Sequence, residues 1–163
     1  MAYRVCFVCT GNICRSPMAE SVFRARVAEA GLDGVVEADS AGTDGWHEGD
    51  GADPRTVAVL EENGYAADHT ARRFDPSWFA RLDLVIALDT GHLRTLRRLA
   101  PTPRDADKVR LLRSYDPEAG DDLDVPDPYY GEADGFHACL EMVEAASVGL
   151  LSSVREQAEG RAA

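Results

Sequence analysis

The sequence predicts a doubly wound α/β domain, a four-stranded parallel sheet flanked by helices, and three observations carry that reading. Short apolar runs alternate with segments of helical periodicity. The runs are apolar at successive residues rather than at every second one, as in strands buried on both faces of a parallel sheet. The length of 163 residues suits one domain with one substantial core, and no repeat, low-complexity tract or linker divides it. Residues 1–163 are therefore read as a single domain, with a core over about 3–157.

The elements follow in order. Val5, Cys6, Phe7 and Val8 make the first strand. Ser16-Pro17 is expected to open the first helix, with serine as N-cap and proline at the first helical position. Ala19, Val22, Phe23, Val27 and Ala30 then recur at helical spacing until Gly31 stops the helix. A second strand is placed at Val35–Ala41 and a helix at Pro54–Glu62, closed by Asn63-Gly64. Leu82–Leu88, bounded by Asp89, gives the third strand, and Val109–Leu112 the fourth. Phe136, Leu140, Val143, Leu150 and Val154 mark one face of a last helix. Ser114–Gly135, rich in Asp, Pro, Gly and Tyr, reads as one long functional loop. Ligands of such sheets bind beyond the carboxyl ends of the strands, near the reversal of strand order, which points to the loop from Cys9 to Arg15.

Composition excludes several classes. A net charge of −12 disfavours nucleic acid and anionic membranes as partners. No stretch approaches the roughly 20 apolar residues of a membrane span, and Met1-Ala2-Tyr3-Arg4-Val5 lacks a signal-peptide pattern, so a cytoplasmic enzyme is expected. Cys6, Cys9 and Cys14 crowd into the first segment, with only Cys139 elsewhere. That arrangement suits neither a disulfide framework nor, with His47, His69, His92 and His137 scattered singly, a zinc site. No metal or organic cofactor is expected, and reactive chemistry at one cysteine is the better reading.

Cys9-Thr10-Gly11-Asn12-Ile13-Cys14-Arg15-Ser16 separates a cysteine and an arginine by five residues and ends in a hydroxyl. A tight loop entering a helix can aim several backbone N–H groups at an anion. Gly11 permits positive φ, and Asn12 tolerates a left-handed position. Arg15 offers a planar fork for two phosphate oxygens. The same field favours a thiolate at Cys9, to which Ser16 can donate a hydrogen bond. Cysteine and arginine at this spacing also arise by chance; the surrounding strand, glycine loop and proline-started helix make the pattern specific.

Val8 through Glu20 resembles the signature of the low-molecular-weight protein tyrosine phosphatases. The resemblance continues through Asp39-Ser40-Ala41-Gly42-Thr43, Trp46, Asp68-His69-Thr70-Ala71-Arg72 and Leu88-Asp89, and ends in Ser114-Tyr115-Asp116-Pro117 and Asp127-Pro128-Tyr129-Tyr130-Gly131. It implies a flavodoxin-like fold of the phosphotyrosine phosphatase I type. It also implies phosphotyrosine-containing proteins as substrates and a phosphocysteine intermediate on Cys9. Thr10, Gly11, Asn12, Ile13, Cys14, Arg15 and Ser16 would hold the phosphoryl group. Asp127 would be the general acid and then the base, expected to lie buried near aromatic rings, with Asp124 as a nearby rival. Pro126 stands where the family often has an acidic residue, which stiffens the acid loop and removes a like charge.

Asn12, Ser16, Ser40 and His69 match the family's loop-bracing network, with Asn12 expected to bond Ser40 and His69 through its side chain. Glu20 and Asp89 would orient His69, or serve merely as a turn glutamate and a strand-end aspartate. Ile13, Trp46, Tyr129 and Tyr130 match the aromatic-walled substrate cleft, although each also suits ordinary packing. The resemblance further implies a reversible Cys9–Cys14 disulfide, phosphorylation of Tyr129 and Tyr130 by a partner kinase, and a monomer or weak dimer. Cys6 and Cys139 read as structural.

Rival readings are weaker. Thioredoxin-coupled arsenate reductases share the loop but need further cysteines after the third strand, and Leu82–Leu99 contains none. Protein arginine phosphatases resemble the loop, with threonine where Ile13 stands and no double tyrosine. Trp46 separates the chain from bacterial relatives paired with capsule-exporting kinases, and the intact Cys9, Arg15 and Asp127 disfavour a binding module without catalysis.

Overall fold

A computed structural model describes residues 2–162. Strands β1 (Tyr3–Cys9), β2 (Val36–Gly42), β3 (Leu84–Ala87) and β4 (Val109–Leu111) form one parallel sheet in the order β2-β1-β3-β4. Helices α1 (Arg15–Glu29), α2 (Pro54–Glu62), α3 (Thr90–Leu99), α4 (Pro103–Ala106) and α5 (Ala133–Ala162) complete it, with short 3-10 turns at Pro76–Ala80 and Leu112–Tyr115.

The uninterrupted apolar runs have the expected cause: side chains of one strand alternate between two cores. Val5, Phe7 and Cys9 of β1 face a cluster with Met18, Phe23, Phe136, Val143 and Leu150 from α1 and α5. Cys6 and Val8 face the opposite cluster, with Phe74, Phe79, Val85, Leu96 and Val109. Phe7 and Phe23 meet edge to face, 5.5 Å between ring centroids. The chain leaves β1 for β2 on one side and then crosses to β3 on the other, so strand order reverses at β1 and β3. The loop after β1 and Asp89 after β3 therefore share the crevice at that reversal.

Four expectations need correction. Helix α1 begins at Arg15 with Cys14 as its N-cap, and Ser16 caps nothing, because its hydroxyl is engaged by Cys9 and Asn12. The third strand is shorter than Leu82–Leu88. Leu82 and Leu88 are buried by packing while their amides bond Trp78 and Val8 carbonyls beyond the β3 ladder, so hydrophobicity marked burial rather than strand. The long loop spans only residues 116–132, because Leu112–Tyr115 is a 3-10 turn and α5 starts at Ala133. Helices α3 and α4 are not among the expected elements, although each carries a side-chain cap, Asp89 and Thr102.

Candidate active site

Cys9 ends β1 with its sulfur almost fully enclosed, 2% of the residue exposed. Sγ lies 2.9 Å from the Ser16 hydroxyl and accepts from the Ser16 amide at 3.4 Å. The carbonyls around it are tied away from the loop centre. Cys9 O accepts from the Thr43 amide, Thr10 O from Asp44, Ile13 O from Asp53 and Cys14 O from Met18. Asn12 O is held by His69 Nε2 at 2.6 Å. With the carbonyls anchored outward, the Gly11–Arg15 amides donate to no protein acceptor among the described residues, which leaves them for an anion.

That path requires Asn12 at φ 57°, the one positive φ at a non-glycine among the described residues. Its side chain secures this conformation with three bonds: Nδ2 donates to Ser16 Oγ and Ser40 Oγ, and Oδ1 accepts from the Arg72 amide. Ser40 in turn donates to Glu20 at 2.6 Å. Asn12, Ser16, Ser40 and His69 thus meet as expected, but His69 grips the Asn12 carbonyl rather than its side chain. Neither Glu20 nor Asp89 orients His69, because Glu20 serves Ser40 and Asp89 lies across the loop beside Arg15.

Arg15, 3% exposed, is held from behind. Nη1 donates to Asp89 Oδ2 and to the Val125 carbonyl, both at 2.8 Å. Nη2 lies 3.4 Å from His92 Nε2 and 3.8 Å from Asp127 Oδ2. Burial alone would raise the Asp89 carboxyl, but the His92 amide, the His92 ring and Arg15 outweigh it and hold it below the usual carboxylate range.

Cys9, Thr10, Gly11, Ile13, Cys14, Arg15, Trp46, His47, Asp127, Tyr129 and Tyr130 line a single cleft. Trp46 and Tyr130 stand at the rim, 77% and 90% exposed. Arg55 braces the Tyr129 wall by donating to the Tyr129 and Gly131 carbonyls while Asp53 grips it and its guanidinium lies 4.5 Å over Phe136. Asp127 is exposed rather than buried, its Oδ1 accepting from the Tyr129 amide. The rival Asp124 is occupied at the start of α3, where it accepts from Thr90. All four cysteines are free thiols. Burial, reinforced by Asp53, pushes the Cys14 thiol up to about 12, and burial does the same at Cys139. No group of His, Cys, Asp and Glu among the described residues could hold a metal ion.

A family model described as "Low molecular weight phosphotyrosine protein phosphatase" matches residues 4–160. The chain belongs to this family. It is 78% identical to a low molecular weight protein-tyrosine-phosphatase of Streptomyces coelicolor over the full length of both. It superposes on a protein tyrosine phosphatase from Entamoeba histolytica with a TM-score of 0.91, 33% identity and coverage of 96% of this chain and 99% of that one. A Drosophila arginine phosphatase gives a TM-score of 0.85 at 31% identity, covering 91% and 96%.

Four residues that build the cleft or brace its loop carry no distinctive sequence signal as such. His92, His47, Arg55 and Arg72 are polar residues on ordinary helices and loops. The one sequence signal for His92 is its spacing three residues after the capping Asp89. Arg72 lies in one of the matching strings, and nothing in its spacing indicates that its amide holds Asn12 or its side chain Asp39 and the Ser40 carbonyl.

Proposed function

We propose that the chain hydrolyses phosphotyrosine and small aryl phosphates through a phosphocysteine on Cys9, with Asp127 as acid and base. The observation that carries this reading is one cleft in which Cys9, Arg15 and Asp127 meet between Trp46 and the Tyr129–Tyr130 pair. Cys9 Sγ attacks phosphorus, the S–P bond forms and the P–O bond to the phenol breaks as Asp127 gives the phenolic oxygen a proton. Arg15 and the Gly11–Arg15 amides take up the charge spread over the three equatorial oxygens. Asp127 then accepts a proton from water as it attacks phosphorus, and the sulfur leaves with its charge met by Ser16.

Fold likeness extends to an arginine phosphatase, so the fold leaves phosphoarginine open as a substrate. Ile13 at the cleft and two tyrosines on its wall favour an aryl phosphate. The two cores shared by one sheet support reading the chain as one catalytic unit, and we place its work in the cytoplasm. The exposed Tyr130 and its neighbour Tyr129 suit a partner kinase, and the aromatic rim suits a monomer or weak dimer.

The test is phosphate release from a phosphotyrosine peptide and from a phosphoarginine peptide without added metal, using wild type and Cys9→Ser. Release from phosphotyrosine that vanishes in Cys9→Ser is expected. Equal rates in the two proteins, or release from phosphoarginine alone, would overturn the proposal.

A further inference from the structure

The geometry points to His92 as a positioning residue for phosphoryl binding, one that sets Arg15 and Thr10 together from the first turn of α3. This inference rests on the proposed phosphoryl site and assigns a role to a residue outside the phosphate loop.

His92 is 5% exposed and three elements meet at its ring. Nε2 lies 2.8 Å from Thr10 Oγ1 and 3.4 Å from Arg15 Nη2. Nδ1 lies 3.2 Å from Asp89 Oδ1, the same oxygen that accepts the His92 amide at 2.9 Å, but it is not aligned for a hydrogen bond to that oxygen. A guanidinium has no acceptor, so Nε2 can face Arg15 favourably only through its lone pair. The ring proton then belongs on Nδ1, which has the Asp89 carboxylate nearby but no aligned acceptor, and the Thr10 hydroxyl donates to Nε2. Burial together with the Arg15 charge pushes His92 down to about 4, in keeping with a neutral ring.

The donor arithmetic of Arg15 gives the arrangement its purpose. A guanidinium has five N–H groups. Asp89 and Val125 take the two on Nη1, and His92 draws on one from Nη2. Nε–H and the other Nη2–H remain, a side-by-side pair matched to two phosphoryl oxygens. Asp89 and Val125 hold one end of the guanidinium, while His92 limits its swing about the Cδ–Nε bond. Through Thr10 the same nitrogen fixes the loop residue following the nucleophile, so one imidazole sets the arginine and the loop in register.

The experiment compares wild type, His92→Gln, His92→Leu and His92→Asn. It measures p-nitrophenyl phosphate turnover, competitive inhibition by inorganic phosphate and the thermal unfolding midpoint. Gln can return an acceptor near the Nε2 position; Leu removes it; Asn is too short to reach Thr10 and Arg15. We expect His92→Leu and His92→Asn to lose roughly tenfold or more in kcat/KM, since small misplacements of binding groups can cost up to about a hundredfold. The inhibition constant for phosphate should rise in parallel, and His92→Gln should recover most of both. If His92→Leu does not fold, the Gln–Asn pair gives the same comparison. Unchanged phosphate inhibition in the Leu or Asn variant, or equal loss in Gln and Asn, would overturn the inference while leaving the proposed site intact. A wild type that neither turns over the substrate nor binds phosphate would overturn both.

Discussion

Asp127, the proposed proton donor, lies on the exposed lip of the cleft with one oxygen on the Tyr129 amide and the other 3.8 Å from Arg15. Its contribution should depend on how much the leaving oxygen needs a proton. Asp127→Asn keeps the hydrogen-bonding shape and removes the proton, and should lower kcat on phosphotyrosine by about 10²–10⁴. The loss should be much smaller with p-nitrophenyl phosphate, whose phenolate leaves unaided. Equal losses on both substrates would assign Asp127 to binding. At this scale the sequence was most informative where residue types are chemically scarce. A cysteine and an arginine framing Gly11-Asn12 point to an anion loop once the strand before them and the proline-started helix after them are read together. His92 and Arg55 were illegible because their roles depend on which carbonyl or side chain they meet across the fold.

Elements were legible where periodicity and punctuation agree, and less so where packing overrides them. Helix α2 lies at Pro54–Glu62 as expected, because Asp53 caps it, Pro54 starts it and Asn63-Gly64 ends it. Helix α1 was misjudged at its start because Ser16 gives its hydroxyl to the site instead of the helix. Strand β2 shows how closely an element and the loop can be coupled. A Cβ on Gly42, its last residue, would meet the Thr10 carbonyl at 2.6 Å and the Asn12 amide at 3.2 Å. Both are backbone atoms of the Cys9–Arg15 loop, which cannot move aside cheaply. Gly42→Ala is therefore expected to lower the affinity for inorganic phosphate and the turnover together, by roughly tenfold or more. Gly160→Ala, with nothing within 4 Å, should leave both unchanged, as a titration of phosphate inhibition in the two variants would check.

Across the whole molecule, the doubly wound sheet was readable because strands buried on both faces leave continuous apolar runs. Its acid stability should carry the imprint of the site. His92 moves from its ordinary 6.5 to about 4 on folding, driven first by burial and then by Arg15, against Asp89, Asp127 and Asp124, which favour its charged form. Between those values the unfolded chain binds a proton that the folded chain refuses, so stability rises with pH across this window. The contribution is complete above about 6.5 and declines as pH falls toward about 4. Urea midpoints at pH 7 and pH 4.5 should therefore differ more in wild type than in His92→Gln. An equal difference would show that this ring does not carry the acid sensitivity. The bond from Arg15 to the Val125 carbonyl has a consequence in time as well as in space. Its partners stand 110 residues apart in the chain. A ribosome delivers Cys9 and Arg15 more than a hundred residues before Val125 and Asp127, so the nascent chain carries its sulfur well before the arginine is aimed and the proposed proton donor exists. Competence waits for the Val125–Asp127 segment, and chains cut short before it should be catalytically silent.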